Sequence, residues 1–176
     1  MSRYFFALWP DDKTRDQLAA IGERLPENIG RRVPKQKLHI TLSFLGDLDD
    51  HHVAGLKTAV TGIRGLGFSL RLDRIGWWKR PKIIWLAPQH IPIAMLQLVG
   101  EVNTLVQASG IPLEERPYRP HLTLVRKASK PPRPFKMDPN YWNISDFCLV
   151  KSDTLSQGAE YTVLQSWPLS PVQPPD

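Results

Sequence analysis

Apolar and polar residues follow two different spacings along this chain, and together these spacings predict a mixture of strands and helices. Strict alternation from Phe68 to Ile75 predicts a strand with one buried face, whereas short apolar runs ended by proline predict fully buried strands. The predicted strands are 3–9, 38–46, 68–75, 83–87, 120–124, 147–151 and 161–167. Apolar residues at helical spacing predict helices over 12–25, 51–63 and 93–108. The Pro-rich, basic stretch 127–139 predicts a loop.

One short pattern of histidine, apolar residue, threonine and apolar residue occurs twice, within Leu38–Leu42 and again within Pro120–Leu124. Because successive side chains of a strand point to opposite faces, His39 shares one face with Thr41 while the apolar residues share the other. Burying the apolar face turns the histidine and threonine toward a cleft or toward solvent. Each copy therefore predicts half of a polar site, and two halves indicate one site.

The motif is part of a longer repeated order. A buried strand ended by Pro10 or Pro88 precedes a helix and then a histidine–threonine strand, and further strands begin at Phe68 and Phe147. This order predicts two copies of one β-α-β-β unit, with internal repeats at about 3–78 and 82–167. A structural duplication of this kind would place the two histidines about a pseudo-two-fold axis.

Composition and charge narrow the class of protein. The chain has 176 residues, a formal net charge of +6 and a single cysteine. The charge predicts a surface that attracts anions, with nucleic acid as the commonest partner and a merely soluble basic protein as the alternative. The basic segment holding Arg31, Arg32, Lys35 and Lys37 is either a solvated connection or a phosphate-facing rim.

The cysteine and the N-terminus bear on location. Cys148 lies in an apolar run and is expected to be a small buried hydrophobic residue, which fits a reducing compartment. The apolar run Tyr4–Trp9 stops at Pro10, too early for a signal-peptide core or a membrane span. The sequence therefore predicts a cytoplasmic protein without a membrane partner.

Two histidine–threonine pairs facing one groove suit a specific chemistry. The reference pKa of imidazole is about 6.5, so near neutral pH one ring can accept a proton while the other donates one. Such a pair can displace a leaving oxygen at phosphorus with water, and the threonine hydroxyls can donate to the non-bridging oxygens. A strained cyclic phosphodiester fits this apparatus, which is expected to need no metal and no cofactor.

The residues also resemble a known family. The paired motifs at His39 and His121 look like the signature of the 2H phosphoesterase superfamily. Within it, the segments Phe5–Leu8, Leu38–Gly46, Arg116–Arg126 and Tyr161–Leu169 resemble the bacterial RNA 2′,3′-cyclic phosphodiesterases, also called 2′-5′ RNA ligases. This resemblance spans nearly the whole chain.

The resemblance implies an α+β fold with two pseudo-symmetric lobes of antiparallel sheet and outer helices around a central cleft. It implies one two-lobed catalytic domain over 1–169 and a Pro-rich tail over 170–176. The implied reaction opens 2′,3′-cyclic phosphates at RNA ends, including the ends of tRNA halves, to 2′-phosphomonoesters. A weak reverse reaction would join RNA ends through a 2′-5′ linkage. The enzyme is expected to be a monomer.

Roles carry over by position. His39 would be the general acid for the leaving 3′ oxygen and His121 the general base for water, with Thr41 and Thr123 on the phosphate. Pseudo-symmetry allows the acid and base labels to be exchanged.

The substrate-binding positions implied by the resemblance are Arg126 for phosphate and Phe44 and Tyr118 for base stacking. Strand alternation opposes two of these assignments, because Phe44 and Arg126 should each point away from the histidine–threonine face unless the strand bends. For Phe44, core packing and stacking are equal alternatives at this stage.

Three other functions remain open. A phosphodiesterase for small cyclic phosphates, such as those derived from ADP-ribose, would use the same residues. A non-catalytic RNA-binding module would use the basic surface but would not need two histidine–threonine pairs. A metal hydrolase with His39 and His121 as ligands lacks carboxylate or cysteine partners nearby in the sequence.

Overall fold

A computed structural model of the protein describes residues 2–156 and 158–171. The strands there are β1 (Ser2–Leu8), β2 (Arg31–Arg32), β3 (Ile40–Asp47), β4 (Phe68–Leu72), β5 (Arg74–Trp78), β6 (Ile83–Ala87), β7 (Leu122–Arg126), β8 (Asn140–Ile144), β9 (Asp146–Leu155) and β10 (Gly158–Pro168). The α-helices are α1 (Asp12–Glu23), α2 (Asp50–Val60) and α3 (Ile93–Ala108), and short 3₁₀ turns occupy Glu27–Ile29 and Lys35–Lys37. All three predicted helices are present.

Side-chain caps explain where two of the helices begin. The Asp11 carboxylate accepts a hydrogen bond from the Thr14 N–H at 2.7 Å, and Asp49 does the same for the His52 N–H at 2.8 Å. Each bond satisfies one of the N–H groups that lack a partner in the first turn of a helix. The α3 helix instead begins after Pro92, which has no N–H group to satisfy.

One antiparallel sheet runs through the molecule in the order β10-β9-β1-β3-β7-β6-β5, with β2 joined to β7. Its two halves meet at a single residue pair, Ile40 opposite Leu122. A second sheet consists of β4 and β8. The predicted α+β class with antiparallel sheets is confirmed.

The two faces of the main sheet differ in what covers them. One large core combines strand residues such as Leu8 and Leu86 with helix residues such as Leu18 and Leu98. Smaller apolar clusters, built around Phe5 and around Trp85, lie apart from this core. Phe5 and Trp85 belong to the alternate set of strand positions, so they mark the face opposite the helices, which we call the open face.

The topology corrects two details of the predicted repeat. The expected strand from Phe68 to Ile75 is two strands that separate at Asp73, whose carboxylate accepts from the Gln89 N–H at 2.8 Å. β8 was not predicted, because the Pro-rich segment before it favoured a loop. Since β8 pairs with β4, it rather than the strand from Phe147 is the counterpart of β4.

Strand exchange links the halves. β5 follows β4 in the chain but pairs with β6, whereas β9 follows β8 but pairs with β1. Each half thus supplies an outer strand to the sheet of the other half. This exchange ties the two ends of the sheet together more extensively than the single pair at its centre.

Ser170, the first residue of the predicted tail, makes two backbone hydrogen bonds with the segment before β4. The predicted tail covers 170–176, but the Ser170 N–H donates to the Gly65 carbonyl at 2.9 Å and the Ser170 carbonyl accepts from Gly67 at 2.8 Å. Residues 172–176 lie outside the described part of the chain.

Candidate active site

A β-bulge in β3 decides which side chains reach the open face. Along β1, Ala7 stands opposite Thr41 and Phe5 stands opposite Phe44, and the register shifts between them so that Leu42 has no partner of its own. Side chains directly opposite each other on paired strands share a face. The extra residue therefore brings Phe44 to the same face as Thr41, against the simple alternation expected from the sequence.

β7 contains the matching bulge. Thr123 stands opposite Trp85 and Arg126 stands opposite Ile83, with the register shifting so that Leu124 is extra. Arg126 consequently shares the open face with Thr123. In both strands the unpaired leucine is the third residue after the histidine, so the two bulges are equivalent in the duplicated motif.

The central pair of the sheet sets the two motifs against each other. Because Ile40 is opposite Leu122 in an antiparallel register, the neighbouring positions place His39 across from Thr123 and Thr41 across from His121. Each half of the site therefore combines an imidazole from one strand with a hydroxyl from the other. Both motifs contribute to one cleft, in which His39 lies with Thr123 and Arg126.

The two imidazoles are held in the same way. His39 Nδ1 lies 2.7 Å from the Lys37 carbonyl oxygen, and His121 Nδ1 lies 2.8 Å from the Arg119 carbonyl oxygen. A carbonyl can only accept, so each Nδ1 carries a proton and donates it. In the neutral ring this leaves Nε2 as the free basic nitrogen, available for proton transfer.

Three aromatic rings surround His39. Its ring stacks on Trp9 at 5.4 Å between centroids, lies 5.0 Å from Phe5 and meets the edge of Tyr161 at 5.3 Å. The pKa of His39 is lowered from 6.5 to about 4, mainly by burial and to a smaller extent by the positive charge of Arg126 and the proximity of His121, while the Lys37 carbonyl acts in the opposite direction.

Fewer aromatic rings contact His121 than contact His39. Trp78 contacts its ring at 4.6 Å between centroids, and Trp78 in turn packs on Trp85 at 5.3 Å. The Trp85 ring lies so close over Gly76 that a Cβ there would come within 2.1 Å of it, which explains the glycine. Burial also lowers the pKa of His121, and Arg126 contributes in the same direction.

The cleft beside His39 has a volume of about 280 Å³ and a basic lining. Arg31, Arg32, Lys37 and Arg126 all contribute to it. Arg32 donates to the carbonyl oxygens of Glu23 and Leu25 near the end of α1. The phosphate-facing alternative for the basic segment thus fits Arg31 and Lys37, whereas the Arg32 guanidinium and Lys35, which pairs with Asp16, lie on the helix side.

The two predicted stacking residues have different surroundings. Phe44 has 52% of its surface exposed, beside Phe5 at 6.0 Å between centroids. Tyr118 is half-buried, and its hydroxyl donates to the Thr41 carbonyl at 3.1 Å. Burial raises the pKa of the Tyr118 phenol above its ordinary value. This hydrogen bond therefore helps to hold the strand that carries Thr41 in position. The stacking role of Tyr118 stays a prediction.

Sequence reasoning missed the aromatic enclosure of the histidines. The predicted strands contain Trp9 and Tyr161, while Trp78 lies outside them, and the sequence pattern gives none of the three a role at the site. Their contacts with His39 and His121 depend on strands far apart in sequence. The only available signal was the concentration of tryptophan at strand ends.

A cysteine and a group of three potential metal ligands lie elsewhere in the structure. Cys148 is buried, as expected, and burial raises its pKa to about 12. Within residues 2–156 and 158–171, one group of three side chains brings potential metal-ligand atoms within 4.8 Å of one another. It consists of Asp49, His51 and His52, all exposed, at the opposite end of β3 from His39.

Paired imidazoles, hydroxyls and an arginine around one cleft define the class of the site as that of a 2H-type phosphoesterase. A family profile described as LigT like Phosphoesterase matches residues 8–85. The RNA 2′,3′-cyclic phosphodiesterase of Escherichia coli (strain K12) is 32% identical over 96% of this chain and 97% of its own length.

Solved structures agree with this assignment. The crystal structure of E. coli LigT in apo form has a TM-score of 0.85 and 30% identity, covering 96% of this chain and 98% of that one. The same protein complexed with 3′-AMP has a TM-score of 0.84 and 31% identity over the same shares. The chain belongs to the LigT-like phosphoesterase family and is a cyclic phosphodiesterase.

The helices in the described part of the chain are all too short or too polar to span a membrane.

Proposed function

We propose that this enzyme hydrolyses 2′,3′-cyclic phosphates at RNA ends to 2′-phosphomonoesters, with His39 and His121 as the acid–base pair and without a metal ion. The observation that carries this proposal is the equivalent fixing of both imidazoles, each with Nδ1 on a carbonyl oxygen two residues earlier. Both Nε2 atoms are thereby left for proton transfer. The relatives named as RNA 2′,3′-cyclic phosphodiesterases support the choice of substrate.

In the proposed mechanism one Nε2 takes a proton from the attacking water while the other gives a proton to the leaving ribose oxygen. Thr41 and Thr123 donate to the non-bridging oxygens as their negative charge increases. Arg126 offers a planar fork of donors that matches phosphate oxygens. Phe44, exposed on the same face, is available to stack on the terminal base.

Roles are proposed as the family resemblance implies, with His39 as acid and His121 as base. Because burial lowers its pKa to about 4, His39 acts as the acid when the bound substrate favours the protonated imidazole. An anionic phosphate placed beside Arg126 would favour this, since it offsets the positive charge that lowers the pKa of both rings.

The reaction itself is tested with an RNA that carries a terminal 2′,3′-cyclic phosphate, incubated with the enzyme in the presence of a chelator. A 2′-phosphomonoester is the expected product, formed at an undiminished rate when the chelator is added. His121→Ala and His39→Ala should each lower turnover by about 10²- to 10⁴-fold. A surviving ring with the unaltered enzyme would refute the proposal, and loss of activity with chelator would refute its metal independence.

The assignment of the general acid and the general base is tested with an activated aryl phosphodiester, whose leaving group needs no proton. If His39 is the acid, His39→Ala should lose far less activity on the aryl ester than on the cyclic phosphate, whereas His121→Ala should lose activity on both. The reversed result would exchange the two roles.

The same proposal covers the reverse reaction, the RNA that carries the phosphate, the oligomeric state and the location of the enzyme. A weak reverse reaction would join RNA ends through a 2′-5′ linkage, because the same acid and base can operate in the opposite direction. tRNA halves are among the RNA ends with the required phosphate. A monomer in the cytoplasm, bearing one buried cysteine, fits these roles.

A further inference from the structure

Several basic residues at one end of the main sheet, next to Arg126, have no part in the mechanism above. Two long stretches of the chain, 74–100 and 116–137, contain no aspartate or glutamate. The first includes the turn between β5 and β6, which carries Lys79, Arg80 and Lys82, all exposed. The second includes Arg126 and Lys127, also exposed.

Strand pairing brings these two stretches together. Ile83 stands opposite both Trp78 and Arg126, so the β5–β6 turn lies beside the end of β7. The Ala128 N–H donates to the Lys82 carbonyl at 2.8 Å and fixes this contact. On the other side of β7, Arg31 stands opposite Arg126.

We call this surface the basic rim and define it by six residues: Arg31, Lys79, Arg80, Lys82, Arg126 and Lys127. Among the ion pairs found in residues 2–156 and 158–171, none includes a member of the rim. Like charges gathered without neutralising partners raise the electrostatic free energy of the folded protein, and an anionic partner would lower it.

The rim is continuous with the catalytic cleft. Arg31 and Arg126 line the cleft next to His39. Trp78, at the end of β5 from which the basic turn begins, contacts the His121 ring. Neighbouring strands are about 4.8 Å apart, so the β6 end of the turn adjoins β7 and its β5 end lies roughly 10 Å from β7, beyond the cleft.

The size of the cleft makes an outside surface necessary for a longer substrate. At about 280 Å³ it lies just below the usual range for ligand pockets, a size suited to one nucleotide end. Nucleotides farther along an RNA chain must therefore lie outside it, and the exposed cations adjoining the cleft are on the rim.

We propose that the basic rim binds the phosphate backbone of the nucleotides that precede the cyclic end, so that the enzyme prefers oligonucleotides to mononucleotides and to small cyclic phosphates. This inference rests on the proposed function and specifies its substrate class. It distinguishes the RNA enzyme from the alternative phosphodiesterase of ADP-ribose-derived rings, which would have no use for cations beyond the cleft.

The test compares the double variant Lys79→Gln and Arg80→Gln with the unaltered enzyme on two substrates. One is an eight-nucleotide RNA with a terminal 2′,3′-cyclic phosphate, and the other is a nucleoside 2′,3′-cyclic monophosphate. For the oligonucleotide, kcat/KM should fall on the order of tenfold at 0.1 M salt through KM, and it should not change for the mononucleotide. The charge-matched control is Lys13→Gln with Lys57→Gln, on α1 and α2.

Salt dependence and direct binding complete the experiment. Loss of two phosphate contacts should reduce the slope of log(kcat/KM) against log salt for the oligonucleotide by about 1.4. Fluorescence anisotropy with a labelled RNA that ends in a 2′-phosphate should show the same weakening in the rim variant alone.

The outcomes separate this inference from the proposed function. Equal turnover of the two substrates, or rim and control variants that behave alike in turnover and binding, would overturn the rim while leaving the hydrolysis of cyclic phosphates intact. If neither substrate is opened, the proposed function fails, and the anisotropy measurement still decides whether the rim binds RNA.

Discussion

Two histidines in equivalent sequence motifs have different surroundings, and the difference lies in single side chains. Trp9, Phe5 and Tyr161 enclose His39, whereas His121 meets Trp78. Trp9 directly follows β1 and Trp78 ends β5, and the repeated order matches β1 with β6, so the duplication does not relate these two tryptophans. The duplicated backbone therefore supplies equivalent positions, and the unequal aromatic residues give each imidazole its own electrostatic environment.

Trp9 provides the first prediction at this scale. Trp9→Leu removes the ring stacked on His39 and admits water, so the His39 pKa should rise from about 4 toward 6.5. NMR titration of the imidazole Hε1 protons measures both histidines separately. Trp78→Leu is the matched control, because it should shift the pKa of His121 and leave that of His39 in place. If the His39 pKa is the same with and without Trp9, the ring does not exclude water.

The depressed pKa of His39 also predicts how stability depends on pH. Between pH 6.5 and about 4 the unfolded chain binds a proton at this histidine while the folded chain does not, so acid favours unfolding. Lowering the pH from 7 to 5 should reduce the free energy of unfolding by about 1–2 kcal/mol through this group, allowing for partial exposure. The contribution of neutral His39 to the free energy of unfolding is fully present above pH 6.5. It is lost as the pH falls from 6.5 to about 4.

Urea unfolding at pH 7 and pH 5 measures the effect. His39→Gln should flatten the difference between the two pH values, whereas His90→Gln, which changes an exposed histidine, should keep it. An equal pH dependence in both variants would show that His39 titrates normally in the folded protein.

At the scale of strands, the sequence predicted the elements well and their fine register poorly. Alternation correctly set His39 with Thr41 and His121 with Thr123, because no bulge falls within those short spans. It failed for Phe44 and Arg126, because one unpaired leucine in each strand reverses the alternation beyond it. A bulge depends on the partner strand, and its position cannot be read from one strand alone.

The same reason explains the missed strand β8. Its pairing partner β4 lies far away in the sequence, and the prolines before it favoured a loop. Helices were easier to predict, since their hydrogen bonds and apolar faces are local, and α3 begins and ends where the spacing indicated.

A glycine allows β2 to lie against β7. At Gly30 a Cβ would come within 2.7 Å of the Arg126 carbonyl oxygen and of the Val125 side chain. Gly30→Ala should therefore push Arg31 and its strand away from Arg126, lower the free energy of unfolding by about 1–3 kcal/mol and raise KM for a cyclic phosphate. Thermal unfolding and steady-state kinetics measure the two effects.

The matched control is a glycine with open space around it. Gly100 lies within α3, and a Cβ there would meet nothing within 4 Å. Gly100→Ala should raise the free energy of unfolding by about 0.5–1 kcal/mol through helix propensity and leave KM unchanged. A Gly30→Ala enzyme as stable and active as the parent would show that β2 is not held close to β7.

At the scale of the whole molecule, the two halves have one apolar core. The strands of the two halves pair directly only at Ile40 with Leu122, so this pairing alone connects the halves weakly. The core nevertheless includes Leu18 of α1 and Leu98 of α3 in one cluster, and the exchanged strands β5 and β9 reinforce it. We therefore expect the halves to unfold together, even though each carries its own histidine motif.

His39 and His121 lie in opposite halves, so their NMR signals show whether the two halves unfold together. Their imidazole resonances, followed through a urea titration, should disappear at one midpoint. Leu98→Ala removes a fully buried side chain from α3 and should cost about 2–5 kcal/mol, so it should lower both midpoints equally, although only His121 lies in the same half. Leu96→Ala, on the same helix but 47% exposed, should move neither by much. Two separate midpoints would show that the halves are independent, in which case a catalytic pair shared between them could be lost without unfolding the rest of either half.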